Sequence, residues 1–186
     1  IFSCSISFQK REKGLTHQIK MPKIQGPEKL KSDLELRKDL KSKIPKDYLP
    51  MWLREREIET RQVEPVDLLK AEKLPPYRST WMKPTGKLPA DERIHQALLL
   101  YVSDMGLLGA AVNPHEVNFM SKKFQSASLD HVMWFHGKVN FNNWILHHMH
   151  SPISQNARGF SRGSIYTKSG KLVASTAQEG LMRIWD

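Results

Sequence analysis

The spacing of apolar residues divides the chain into three stretches. Ile1 to Phe8 alternates, with Ile6 and Phe8 on one side and Ser5 and Ser7 on the other, which is the period of a strand. A lone strand is not stable, so this alternation predicts pairing with another element. Residues 10–56 read as a linker punctuated by Pro22, Pro27, Pro45 and Pro50. Within it Leu36, Leu40 and Ile44 recur at helical spacing, and Ser32 with Glu35 has the form of a capping box. One short, mostly charged surface helix is expected there. From Glu57 onward the pattern changes. IETRQVEPV and YRSTWMK read as strands, the second ending at Pro84 before a turn around Thr85-Gly86.

Residues 91–108 carry the strongest helical pattern. Asp91 is a plausible N-cap, and Glu92 suits the positive end of the helix dipole. In IHQALLLYVSDMGLL the apolar residues cover nearly the whole circumference, which predicts a helix buried on all sides. Four strands follow: SASLDHVMWFHG, NWILHHMH, ARGFSRGSIYT and KLVASTAQEGLMRIW, with a hairpin turn at Ser169-Gly170 between the last two. Strands, one central helix and an antiparallel meander define an α+β class. The expected architecture is a long curved antiparallel sheet wrapped around a central helix, the hot-dog fold. The domain reading is therefore residues 1–9 as a strand of something larger, 10–56 as linker, and 57–186 as the folded domain.

Charge adds little to this division. The formal net charge of +10 favours an anionic ligand or surface. It does not choose among nucleic acid, membrane headgroups and a phosphorylated molecule, and a solvated Lys-rich linker accounts for much of it. No nucleic-acid partner is expected from charge alone. The one cysteine, Cys4, allows no intramolecular disulfide and favours a reducing compartment. No apolar run reads as the roughly 18 residues of a membrane span. IFSCSISFQ lacks the basic leader and apolar stretch of a signal peptide and does not begin with Met, so the chain reads as a piece of a larger protein.

Candidate chemistry centres on Asp104, near the C-terminal end of the apolar helix. Burial and the negative end of the helix dipole would both favour its protonated form, and a carboxylate tuned in this way suits a general base. Ser128 and Asp130 share one face of a predicted strand. Gln178 stands among the small residues Ala174, Ser175, Thr176 and Ala177, where its amide can both donate to and accept from a water. His147, His148 and His150 alternate across a strand without paired cysteines or acids nearby, so no metal is expected. There is no Gly-x-Ser-x-Gly elbow and no phosphate loop. Arg158-Gly159 and Arg162-Gly163 join a phosphate-gripping side chain to a residue that lets a ligand approach the backbone. Arg158, Gly159 and Arg162 are the candidate substrate-binding residues.

The segments HQALLLYVSD, ASLDHVMWFH, ARGFSRGSIYT and GKLVASTAQEGLMR, spread between His95 and Arg183, closely resemble the C-terminal hot-dog domain of type II acyl-CoA thioesterases. The resemblance extends more weakly to Ile1, where IFSCSISFQ looks like the closing strand of that family's first hot-dog domain and the Pro- and Lys-rich stretch like its interdomain linker. It implies hydrolysis of fatty acyl-CoA thioesters to a free fatty acid and coenzyme A. Carried over by position, it makes Asp104 the general base, with Ser128 and Gln178 orienting the attacking water. In a less favoured variant Asp104 attacks the carbonyl itself. Asp130 matches a position without a catalytic role. No cofactor and no metal are implied. Hot-dog pairing implies a homo-oligomer, and the family's habit implies the peroxisomal matrix, otherwise the cytoplasm. Two alternatives remain: a fragment that only binds acyl-CoA or a partner hot-dog chain, and an enoyl-CoA hydratase. The hydratase wants a His five residues after its Asp, where this chain has Gly109.

Overall fold

A computed structural model describes residues 2–67, 69–117, 119 and 121–185. The helical elements are α1 (Asp33–Asp39), α2 (Leu49–Trp52), α3 (Glu92–Ser103) and α4 (Leu107–Val112). The strands are β1 (Ile58–Gln62), β2 (Tyr77–Pro84), β3 (Phe124–Ser128), β4 (Val132–Phe135), β5 (Ile145–Gln155), β6 (Arg158–Thr167) and β7 (Leu172–Ile184). They form one antiparallel sheet in the order β1-β2-β5-β6-β7-β3, with β4 also paired to β7. This is the hot-dog arrangement.

Both faces of the central strands are covered. On the inner face Ile58, Met82, Ile145, Ile165 and Val173 pack with Leu99 and Val102 of α3. On the outer face Trp81, Leu146 and Tyr166 are covered by Met21, Ile24 and Leu30 from the linker. Polar contacts fasten the same segment. Trp81 Nε1 donates to the Gln25 carbonyl at 2.9 Å, and Arg61 Nη1 donates to the carbonyls of Pro27 (2.8 Å) and Leu30 (3.1 Å). The expected capping box closes on α1. Glu35 N donates to Ser32 Oγ at 3.2 Å and Ser32 N to Glu35 Oε2 at 2.7 Å. The hairpin turn at Ser169-Gly170 also forms, with Gly170 at φ 88°.

Four expectations need correction. Residues 2–8 form no strand and lie exposed; the alternation is there, but no strand pairs with it among the described residues, and Ile1 lies outside them. The segment read as one strand through SASLDHVMWFHG splits at Leu129–His131 into β3 and β4. There Asp130 Oδ1 accepts from Glu179 N at 2.8 Å, so the side chain takes the place of a ladder bond. The apolar helix is not continuous. α3 stops at Ser103, Gly106 turns left-handed at φ 94°, and α4 restarts at Leu107. Glycine takes that backbone conformation without the Cβ clash other residues meet.

The two helices also differ in burial. Leu107, Ala110, Ala111 and Val112 of α4 are buried under the sheet. α3 buries only His95, Leu99, Val102 and Ser103, while Ile94, Leu100 and Tyr101 stay exposed, Tyr101 at 63%. The sheet therefore wraps α4, and the apolar excess of α3 faces outward. Glu92–His115 has the length and apolar composition of a membrane span, but half of its most apolar window is buried in the fold and Gly106 breaks the helix within it.

A buried polar pair sits within the sheet's inner face. His147 is fully buried, with Nε2 3.2 Å from Thr176 Oγ1, and the two meet across Gly163 of the intervening strand. A Cβ on Gly163 would collide with both groups. Gly163→Ala is expected to cost about 1–3 kcal/mol in chemical denaturation. Burial also pushes the His147 pKa down from 6.5 to about 3. The unfolded chain takes up a proton near 6.5 that the folded one refuses, so stability is full above that pH and falls as the pH drops toward about 3. Denaturation between about pH 6 and 4 should show a shallower pH dependence in His147→Leu than in the wild type.

Candidate active site

Asp104, Ser128 and Gln178 come from three separate elements and meet at one carboxylate oxygen. Asp104 caps the C-terminus of α3, Ser128 ends β3, and Gln178 lies mid-way along β7. Ser128 Oγ donates to Asp104 Oδ1 at 3.3 Å, and Gln178 Nε2 donates to the same oxygen. Among the described residues no donor reaches Oδ2. That oxygen is free for a water.

Local sequence explains the convergence. The turn at Gly106 ends α3 where Asp104 can lean over the sheet. Gly180, the ladder partner of Ser128, has no side chain, and Leu108 of α4 fills the space a Cβ would take. The helix pair is thereby seated close above β7, with the end of α3 beside the serine and the glutamine. The break between β3 and β4 leaves Ser128 at a strand end, and the Asp130 bond to Glu179 holds that break.

The surroundings differ from the expectation in one respect. Gln178 is 2% exposed, but Asp104 and Ser128 are open to solvent. The expected burial of Asp104 is therefore not found, because α3 ends before it reaches the covered region.

His131 belongs to the site and was not singled out from sequence. Ser103 Oγ lies 2.8 Å from the Leu100 carbonyl oxygen and 2.8 Å from His131 Nε2. Burial lowers the His131 pKa, and the charges of Asp104 and Asp130 partly oppose that shift. The signal was available in its place directly after Asp130, at the strand break. His131 fixes the end of α3 against the sheet and lies within electrostatic reach of Asp104.

The candidate phosphate grip is not brought to this site. Arg158 pairs with Glu179 at 3.0 Å, and Arg162 lies 5.4 Å over the Phe160 ring. Both are exposed and alternate with buried Gly159, Ser161 and Gly163, so they project from the face opposite Gln178. The space beside Gly159 is filled by Met182 and Ala111, not left open for a ligand. Its missing side chain serves helix packing. The histidines behave as the alternation predicts: His148 Nδ1 lies 3.0 Å from Ser79 Oγ, across the sheet from His147. No group of three His, Cys, Asp or Glu among the described residues is arranged to hold a metal ion.

Comparison with known proteins adds ancestry to this geometry. The sequence profile of the acyl-CoA thioesterase family matches residues 52–181. Acyl-CoA thioesterase 2 of Haemophilus influenzae is 35% identical over 177 residues, covering 95% of this chain and 62% of that protein. Human acyl-coenzyme A thioesterase 8 is 31% identical over 192 residues, covering 99% of this chain and 60% of that protein. The crystal structure of the acyl-CoA thioesterase II TesB2 from Mycobacterium marinum superposes with a TM-score of 0.72 at 29% identity, covering 96% of this chain and 61% of that one. The chain thus spans about three-fifths of the length of these relatives. On the strength of that match it belongs to the acyl-CoA thioesterase family.

Proposed function

We propose that this chain hydrolyses fatty acyl-CoA thioesters with a water activated at Asp104. The observation that carries the reading is the pair of donors, Ser128 Oγ and Gln178 Nε2, on the single oxygen Oδ1. They fix the carboxylate plane and leave Oδ2 to accept a proton from water. The hydroxide so formed adds to the thioester carbonyl carbon, and the tetrahedral intermediate collapses with cleavage of the C–S bond. The proton held on Asp104 passes to the departing thiolate. The products are a fatty acid and coenzyme A, with no covalent enzyme intermediate. Long-chain acyl-CoA should release free thiol in the presence of this chain. Asp104→Asn is expected to lower kcat about a hundredfold or more, followed by a thiol-reactive dye. Binding of acyl-CoA without release would instead favour a chain that only holds its ligand.

The proposal includes a second hot-dog domain beside this one. Leu100, Tyr101 and Met105 of the α3 end, with Leu129, Val132, Trp134 and Phe135 of the neighbouring edge, are all exposed and surround Asp104 and Ser128 with apolar surface. Surface of this kind calls for cover. In this reading residues 57–186 are one hot-dog domain, residues 10–56 are a connecting segment strapped to its outer face, and residues 1–9 belong with another hot-dog domain. In a preparation of this chain alone a second copy supplies the cover. Sedimentation should give a dimer or larger species, and Trp134→Glu together with Tyr101→Glu should shift it toward monomer.

A further inference from the structure

We infer that Ser161 is a positioning residue for Gln178: its hydroxyl donates, directly or through one enclosed water, to Gln178 Oε1 and keeps the amide nitrogen aimed at Asp104. The inference rests on Asp104 acting as the base. Ser161 and Gln178 are ladder partners on β6 and β7, on the inner face of the sheet. They are 1% and 2% exposed, and among the described residues Ser161 Oγ and Gln178 Oε1 are each buried without a hydrogen-bond partner. An orphaned hydroxyl and an orphaned amide oxygen thus stand side by side. Cross-strand Cβ atoms lie about 5 Å apart, within reach of one side-chain rotation or one bridging water.

The neighbours leave Ser161 as the donor at this point. Gly159 and Gly163 flank it on the same face of β6 and carry no side chain. Thr176, the next inner residue of β7, is engaged with His147, which lies on β5, one strand further away. His131 turns its Nε2 to Ser103 Oγ at 2.8 Å.

The need for such a donor follows from the proposed reaction. An amide's two ends have almost the same shape, and only their partners decide which faces where. While Asp104 is ionised, it selects the nitrogen. Once Oδ2 holds the proton taken from water, Oδ1 becomes a carbonyl-type oxygen that accepts more weakly, and its hold on the amide's orientation loosens. A hydroxyl fixed at Oε1 holds one orientation through both states, so that the carboxylate returns to the same geometry.

Two measurements test this. The first reads the Gln178 side-chain amide by NMR, assigned by its loss in Gln178→Met. Ser161→Ala should move these signals and speed their exchange with solvent about tenfold, whereas Ser161→Thr, which keeps the hydroxyl, should leave them near wild type. Ser161→Cys, of similar size, should act in the same direction as Ser161→Ala and serves if that variant is poorly folded. The second is a double-mutant cycle on thiol release. Ser161→Ala should lower kcat about tenfold with little change in KM, and should cause no further loss in a Gln178→Met background. Gln178 signals that do not respond to Ser161→Ala overturn the inference whatever the activity, and so do independent, additive losses in the double variant. If the signals move as expected while the wild-type chain releases no thiol, the hydrolytic reading fails and the Ser161–Gln178 bond stands.

Discussion

The left-handed turn at Gly106 divides one long apolar segment into two helices with different tasks. Had α3 run unbroken through α4 to Val112, Asp104 would sit inside the helix with its backbone committed in both directions. The turn frees the end of α3 to carry Asp104 as a C-cap and lets α4 continue at its own depth in the sheet. The second helix is the anchor. Leu107, Ala110, Ala111 and Val112 are all buried, and the seating of Leu108 over Gly180 sets its height above β7. The first helix inherits its position from that anchor and from the Ser103–His131 contact. The site therefore depends on packing several residues away from any polar group in it.

A second constraint comes from the sheet's own inner face. In a hot-dog domain this face meets the helix and ought to be apolar, yet β5, β6 and β7 here place His147, Ser161, Thr176 and Gln178 on it, all buried. The glycines between them make that arrangement sterically feasible. Gly163 accommodates the His147–Thr176 pair, and Gly159 admits Ala111 of α4. Buried polar groups are costly unless partnered, and their partners then limit how they can be oriented. Gln178 is held by Asp104 at one end of its amide, and Ser161 stands ready at the other. The polar band specifies one orientation of the site, and the burial it imposes on His147 pushes that group's pKa down.

Much of this was legible in the sequence, for identifiable reasons. The capping box at Ser32 and the hairpin at Ser169-Gly170 depend on local chemistry, and both formed. The later strands were legible because β6 from Arg158 to Ile165 and β7 from Ala174 to Leu181 place buried and accessible positions in turn. The meeting of Asp104, Ser128 and Gln178 followed from the resemblance, not from spacing, since the three residues are far apart along the chain. The expectations that failed concern the direction of surfaces. An all-round apolar helix was read as wholly enclosed, but apolar side chains also stand at protein surfaces, as Leu100 and Tyr101 do here. The strand through Asp130 broke because a side-chain bond to Glu179 N took the place of the backbone ladder. Arg158 and Arg162 were chosen for chemistry alone, and the period-two alternation that fixes their face is visible in the same residues.

The openness of Asp104 has a consequence for how the site works. A carboxylate in free water keeps its charge at little cost and draws weakly on a proton, whereas the same group under apolar cover draws more strongly. Two donors from Ser128 and Gln178 fix the geometry of Asp104 but do not exclude water from it. Exclusion has to come from what lies over the exposed rim of Leu100, Tyr101, Met105, Leu129 and Trp134. In the proposed reaction an acyl chain would bring apolar groups to that rim and displace water from it as it binds.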